Sequence, residues 1–299
     1  MKGSLSWLLP AILSAVSYMA GEQQVPDDKL AAAESAFAKL QPELERAQAQ
    51  WEKTDARFAI IDWNITRDLV IQKRLAGGNL FDGKRAIIAE IEHDESADLG
   101  SHDRFTLSAW ILPTALSGVI VTRGRDFTES EGYRICLKDG RVQVNLVKSW
   151  RNDALRVEAE RVVDLDRWHN VTATYDGSGT SGGLRVYIDG QPQKLKISSD
   201  NLHSSFESKE PLRIGGGGGA GNGFHGRIRM VRIYRTVLTP DEVAVLSTDT
   251  PVTALVQIPP EKRTAAASLK IRMYFLERNA PAHIREAWQR VCELRSQQG

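Results

Sequence analysis

The chain has few cysteines and no excess of charge of either sign, and both shortages restrict its function. Cys136 and Cys292 are its two cysteines, which excludes a disulfide-dense scaffold and a four-cysteine zinc site. No Cys-x-x-Cys-His sequence is present, so the chain does not carry a covalent c-type haem. Its 39 basic and 38 acidic residues give a formal net charge of +1, whereas a nucleic-acid-binding surface would show a strong basic excess.

Long apolar runs are also scarce. One lies near the N-terminus, where residues 5–16 form an apolar stretch after Lys2, followed by a small-x-small cleavage pattern at residues 15–17. The stretch is short for a membrane span, which needs about 20 apolar residues. We therefore expect residues 1–20 to be a signal peptide or an anchor, and the protein to be exported to the periplasm, the cell surface or the medium. A misassigned start codon is the alternative.

Glycine, by contrast, is abundant, and its 24 copies cluster in turns between alternating apolar runs. From residue 57 to residue 247, strand-like runs follow one another and several end at Asp-Gly turns, which favour hairpins. Many short strands with regular turn signals indicate an antiparallel sandwich or barrel. Thr239 and Glu242 then form a capping box that predicts a short helix. The turns are Asp139-Gly140, Asp176-Gly177 and Asp189-Gly190.

Both ends of the chain have helical patterns. Residues 27–53 repeat apolar residues at spacings of three and four, which is a heptad pattern typical of a coiled coil. Pro42 falls inside the pattern and is expected to kink or divide the helix. Residues 260–297 form a C-terminal helical segment of two stretches. Because a single apolar seam needs a partner, we expect the terminal helices to pack together beside the β region. Each could instead cover a surface of another region.

Motifs of the β region follow one another in an order that carries a resemblance. They are Phe81-Asp-Gly83, the Phe105–Pro113 strand, Trp168-His-Asn-Val with Tyr175-Asp-Gly177, Tyr187-Ile-Asp-Gly190, Ile214-Gly-Gly216, and Phe224-x-Gly-x-Ile228 with Ile233-Tyr234. In this order they resemble a laminin-G-like domain, a jelly roll of the concanavalin A type, over about 165 residues. The resemblance implies a mainly β fold, an antiparallel two-sheet jelly-roll sandwich, here with N- and C-terminal α-helices. Family members mostly bind carbohydrates, proteins or cell surfaces, some with calcium.

The flanks have a narrower resemblance. Residues 40–52 and 274–295 are similar to segments around the laminin-G-like module of large exported planctomycete-type proteins, which also carry cytochrome-c-like domains and domains of unknown function. The resemblance would make this chain the middle of such a protein. Since the cytochrome part is absent from this sequence, no electron-transfer role is implied for its residues.

The loop at residues 148–153 is the best candidate for ligand binding. Sugars present C–H faces that pack on aromatic rings, while polar groups satisfy their hydroxyls. Trp150 could supply the aromatic ring for such a contact. Alternatively, its side chain could cover the edge of its own sandwich. The candidate ligand-binding residues are Trp150, Arg151 and Asn152, with Arg123, Arg125 and Tyr133 flanking the preceding loop.

Calcium is the one cofactor left open, as a single structural ion. It takes six to eight oxygen ligands, often from separate loops, and aspartates in suitable turns could supply them. The candidates are Asp82, Asp94, Asp98 and Asp103. Glu90, Glu92 and Asp94 also alternate along one run, as glycosidase carboxylates do, but they precede the Phe105 strand and lack the Glu-x-Asp-x-Glu pattern.

Three functions follow from these patterns. The first is a non-catalytic, exported binding module that recognises a carbohydrate or a protein surface through loops at the rim of the sandwich. The second is a structural module that organises neighbouring domains of a larger exported assembly. The third and least favoured is a diverged glycoside hydrolase. Nucleic acid is not an expected partner.

Overall fold

Two antiparallel sheets pack face to face, as the sequence predicts for a jelly-roll sandwich, with helices at both ends of the chain. The computed structural model describes residues 27–56, 61–84, 87–91, 95–125, 129–217, 219 and 221–298. The strands are β1 (Leu69–Asp82), β2 (Ile87–Ile91), β3 (Phe105–Pro113), β4 (Gly118–Gly124), β5 (Gly132–Lys138), β6 (Arg141–Ser149), β7 (Asp153–Val162), β8 (His169–Tyr175), β9 (Leu184–Ile188), β10 (Gln191–Pro192), β11 (Leu195–Asp200), β12 (Leu212–Ile214) and β13 (His225–Tyr234). Short 3₁₀ helices lie at Glu95–Ala97, Ser181–Gly183 and Pro260–Lys262.

The strand order defines two layers. Sheet A has the order β1-β13-β3-β8-β9-β10, and sheet B has the order β11-β7-β6-β5-β4-β12-β2. Side chains alternate along each strand, so Phe105, Leu107 and Ile111 of β3 meet Ile135 and Val144 from sheet B in one apolar core. This alternation leaves each sheet with an outer face of its own.

The predicted hairpin turns position neighbouring strands in register. Asp139 (φ 50°) and Gly140 (φ 74°) join β5 to β6, and Asp189 (φ 55°) and Gly190 (φ 76°) join β9 to β10. Positive φ at both central residues is the geometry that suits a two-residue hairpin. Gly177 lies in a longer connection from β8 to β9 that contains a 3₁₀ turn.

The helices are α1 (Asp27–Lys39), α2 (Gln41–Lys53), α3 (Pro240–Leu246), α4 (Val252–Val256), α5 (Ala265–Arg278) and α6 (Ala282–Gln298). The first two are one heptad pattern divided at Leu40, where Pro42 sits in the first turn of α2. The Thr239–Glu242 capping box starts α3 as predicted. In the part of the chain that the structure describes, no helix is long and apolar enough to span a membrane.

The terminal helices pack against each other, which confirms the pairing hypothesis. Phe37 of α1 lies 5.3 Å from Trp288 of α6, measured between ring centroids. Arg295 of α6 forms an ion pair with Glu34 of α1 at 2.8 Å. Trp51 of α2 packs on Phe275 of α5, with 5.4 Å between the ring centroids.

The helices also cover much of the outer face of sheet A. Their apolar residues form a second core with Tyr187 of β9 and Tyr234 of β13. Trp110 of β3 donates its indole hydrogen to the carbonyl of Leu246 at the end of α3 (3.2 Å). The Arg229 guanidinium of β13 lies over the Trp110 ring, 4.3 Å from its centroid, and forms an ion pair with Asp249, which follows α3. Sheet A is therefore packed on both faces.

Lys270 of α5 is a buried cation at this junction. Its side chain is 1% exposed, and its Nζ donates to the carbonyls of Thr248 (2.7 Å) and Thr250 (3.0 Å). Burial lowers the pKa of the ammonium to about 8, because desolvation disfavours the charged form.

This lowered pKa predicts a pH-dependent stability. Between the folded pKa of about 8 and the ordinary lysine pKa of about 10.4, the unfolded chain binds more protons than the folded chain. The Lys270 contribution therefore rises with pH in that window, by on the order of 1–2 kcal/mol from pH 7.5 to 9.5. Urea unfolding of the wild type and of Lys270→Met measures the difference at both pH values.

The exposed Lys262→Met variant is the control and should keep the wild-type pH slope. A wild-type-minus-Lys270→Met difference that stays constant across the window would contradict the assignment.

Candidate functional site

The outer face of sheet B has no helical cover among the described residues, and a row of polar side chains crosses it. The strand register places Thr122 of β4 opposite Arg134 of β5, Arg134 opposite Asn145 of β6, and Asn145 opposite Arg156 of β7. Arg213 of β12 pairs with Thr122 and extends the row. Since adjacent strands lie about 4.8 Å apart, five strands bring these side chains into one band about 19 Å long.

Trp150 stands beside this row. It occupies the turn between β6 and β7, and the Arg156 guanidinium lies over its ring at 4.3 Å from the centroid. A shallow depression lies next to the ring; its lining is Thr122, Ser130, Glu131, Gly132, Tyr133, Arg134, Asn145, Val147 and Trp150. We call this depression, together with Arg156, the sheet-face site.

The floor and rim of the sheet-face site differ in exposure. Arg134 and Asn145 are buried in the floor, and the Arg134 guanidinium donates to the Ser130 hydroxyl at 3.4 Å. On the rim, the Glu131 carboxylate pairs with Lys148 at 3.3 Å and with Arg125 at 3.7 Å. The site therefore combines guanidinium, amide, hydroxyl and carboxylate groups with one half-buried aromatic ring.

Four of the predicted ligand-binding residues lie at or near this site. Trp150 lines it, and Arg125 reaches its rim through Glu131. Arg151 and Asn152 share the Trp150 turn and are exposed, with the Asn152 carbonyl accepting from Asn201 at 2.9 Å. Their contact with a ligand stays a prediction.

Arg123 and Tyr133 require a correction, because their side chains point into the protein. Arg123 is 4% exposed, pairs with Asp98 and donates Nε–H to the Ser208 carbonyl at 2.9 Å. The Tyr133 hydroxyl donates to the Ala97 carbonyl at 2.9 Å, and burial raises the pKa of the phenol. The two residues are paired across β4 and β5, one position from the outward row, so they face the opposite way.

Among the described aspartates that were proposed for calcium, Asp82 lies far from Asp98 and Asp103, which both contact Arg235. Asp98 pairs with Arg123, and Asp103 accepts from Gly100 N–H at 2.7 Å near Arg235. In the strand register, Asp82 lies opposite His225, the first residue of β13, whereas Arg235 follows the last residue of β13. About 30 Å of strand therefore separates Asp82 from the aspartates near Arg235. Asp94 lies outside the described residues.

No cluster of three or more histidine, cysteine or acidic side chains suited to a metal occurs within the described ranges. A calcium ion held in another way stays a prediction. The acidic run considered for hydrolysis is only partly described, because Glu92 and Asp94 lie outside the described residues. Its strand β2 is one of the two edge strands of sheet B.

Sequence reasoning missed the two floor residues of the site, Arg134 and Asn145, and the Arg156 that covers the Trp150 ring. A signal for two of them was present. A two-residue hairpin at residues 139 and 140 places residues 134 and 145 opposite each other, and both are polar residues between apolar neighbours. The rest of the row depends on pairing of β6 with β7 across bulges.

Comparison with known proteins adds a family and several distant structures. The family model described as the concanavalin A-like lectin/glucanases superfamily matches residues 89–244. The Ruminococcus gnavus IT-sialidase CBM40 bound to alpha2,3 sialyllactose is 14% identical, with a TM-score of 0.47, over 60% of this chain and 98% of that chain. For the binding domain of Paraclostridial Mosquitocidal Protein 1, the identity is 15% and the TM-score 0.44, over 60% and 52%.

A heptameric SAP-like pentraxin from Limulus polyphemus is 15% identical, with a TM-score of 0.40, over 67% of this chain and 86% of that chain. At TM-scores below 0.5, these likenesses transfer no property of those proteins to this chain.

The corrected placement of Arg123 predicts its effect on stability. Arg123→Leu leaves the Ser208 carbonyl and the Asp98 carboxylate without their donor, and should lower the free energy of unfolding by about 1–3 kcal/mol. Arg125→Leu removes an exposed guanidinium and should change it by less than about 0.5 kcal/mol. Urea unfolding measures both. Equal effects of the two substitutions would place Arg123 at the surface and contradict the structure.

Proposed function

The chain belongs to the concanavalin A-like lectin/glucanases superfamily through residues 89–244, and from that membership we propose that it is a non-catalytic carbohydrate-binding module whose sugar occupies the sheet-face site. The proposal moves the ligand from the rim loops of the sandwich to the outer face of sheet B. The Trp150 turn belongs to both locations and links them.

One observation carries this proposal: an aromatic ring stands directly beside a row of planar polar groups. Trp150 is half-buried, and Arg156 covers one face of its ring. In the proposed complex, the remaining ring surface packs on the C–H face of a sugar. Arg134 and Asn145 are buried and support the row from below, so the half-buried Arg156 is the guanidinium placed to hydrogen-bond sugar oxygens.

The charges of the site favour an acidic sugar. Arg134 and Arg156 flank Asn145 in the row, and guanidinium groups bind carboxylates through paired hydrogen bonds. The nearest carboxylates already have partners: Glu131 pairs with Lys148, and Glu158 accepts from Gln143 at 2.6 Å. The site therefore offers more donors than acceptors to a ligand.

Binding measurements with substituted proteins test the sheet-face site. An array of acidic and neutral glycans is screened first, and the best ligand is then titrated by calorimetry. Trp150→Ala and Arg156→Ala should each weaken binding at least about tenfold, which corresponds to about 1.4 kcal/mol. Circular dichroism checks that each variant is folded.

Lys138→Ala is the matched control, because Lys138 lies on β5 four residues after Arg134 and outside the depression. It should bind like the wild type. Glycan binding that survives both Trp150→Ala and Arg156→Ala would remove the sheet-face site from the proposal.

The same proposal includes export, which the apolar stretch at residues 5–16 predicts and which would bring the module to extracellular polysaccharides. Fractionation of the producing cell tests it, and recovery in the cytoplasm alone would count against it.

A protein surface is the second kind of partner. The adjacent and exposed Leu116 and Val162 at one end of the sandwich favour the alternative of a structural module in a larger assembly.

A further inference from the structure

A second and larger concavity lies on the other side of the molecule. It is a cleft of about 1010 Å³ between the outer face of sheet A and the helices α3, α5 and α6. Thr174 of β8 and Arg185 and Tyr187 of β9 contribute the sheet side, while Met273 of α5 and Trp288 of α6 contribute the helix side. We call it the helix–sheet cleft.

The helix–sheet cleft combines aromatic rings with balanced charge. Trp63, Tyr187 and Trp288 line it, together with four arginines and five carboxylates. Several of these charges already have partners inside the protein: Arg67 pairs with Glu242 at 3.1 Å, and Trp63 donates to Glu277 at 3.0 Å.

Other polar groups in the cleft are unengaged. The side chains of Arg104, just before β3, and Gln289 of α6 make no hydrogen bond or ion pair with another residue that the structure describes. The Arg185 guanidinium donates to the Leu184 carbonyl at 3.1 Å and also to that of Gly182, which holds it against the sheet. A guanidinium and an amide thus remain available on opposite walls of the cleft.

From this geometry we propose that the helix–sheet cleft binds a neutral oligosaccharide. The half-buried Trp288 ring suits the C–H face of a sugar, with the buried Trp63 and Tyr187 behind it in the lining. The unengaged guanidinium and amide suit hydroxyl groups. Because carboxylates slightly outnumber arginines in the lining, an anionic ligand gains no net attraction. The proposal does not depend on the sheet-face site.

The fold disfavours two other ligands. An extended peptide that adds a strand needs a free sheet edge, but β3, β8 and β9 each have paired neighbours on both sides. A purely apolar ligand would cover the unengaged side chains of Arg104 and Gln289 without giving them hydrogen-bond partners, which costs free energy.

The terminal helices then take part in binding. Trp288 comes from α6, and Phe37 of α1 packs against its ring. Trp63 precedes β1 and its indole is fixed by Glu277 of α5. The two-sheet sandwich alone would lack one wall of the cleft, so the proposal assigns to the helices a role in forming the site.

Calorimetric titration of the full chain with cellotetraose, xylotetraose, laminaritetraose and mannotetraose tests the proposal. At least one of these neutral probes should bind with a Kd below about 1 mM. Arg104→Ala and Gln289→Ala, which remove groups without internal partners, should each weaken that binding at least fivefold. Arg285→Ala on α6, outside the cleft lining, is the matched control and should bind like the wild type.

Trp150→Ala separates this site from the sheet-face site. Neutral-probe binding that survives Trp150→Ala but falls in Arg104→Ala supports the cleft. The proposal is overturned if no neutral probe binds, if Trp150→Ala abolishes the binding, or if Arg104→Ala and Gln289→Ala both bind like the wild type. Tighter binding of tetragalacturonate in the same cleft would also overturn it, because that result requires an attraction for negative charge.

Discussion

Burial of both faces of sheet A is the constraint on which the rest of the molecule depends. Its inner face packs on sheet B, and its outer face packs on helices from both ends of the chain. Polar groups on that outer face must therefore find partners within the protein, because an unpaired buried group costs about 1–3 kcal/mol. Thr172 donates to Ser108 at 2.9 Å, Asn170 donates to the same hydroxyl at 3.1 Å, and Lys270 is paired with two carbonyls.

The two candidate sites follow from this arrangement. With sheet A covered, the polar row at Arg134, Asn145 and Arg156 lies on the face of sheet B that the described helices leave open. The helix–sheet cleft occurs where the cover over sheet A is incomplete, and it consequently contains both sheet and helix residues. Because the described helices pack on sheet A only, the cationic sheet-face site and the charge-balanced helix–sheet cleft lie on opposite sides of the sandwich.

Local patterns in the sequence predicted much of the fold. The Asp139-Gly140 turn, the Thr239 cap and the division near Pro42 depend on a few neighbouring residues, and all three occur in the structure. Arg123 and Tyr133 were placed wrongly because a shift of one position in a strand reverses the side chain. Trp63, Tyr187 and Trp288 meet only through tertiary packing, which no local spacing in the sequence encodes.

Ligand recognition on the open face of sheet B can be observed at the tryptophan side chains. The indole N–H signals of a ¹⁵N-labelled protein test it directly, since Trp150 lies in the turn beside the outer face of sheet B and Trp110 lies on the outer face of sheet A. Titration with an acidic glycan that binds should shift the Trp150 signal and leave that of Trp110, which donates to Leu246, unchanged. Saturation by the glycan with no movement of the Trp150 signal would contradict the account.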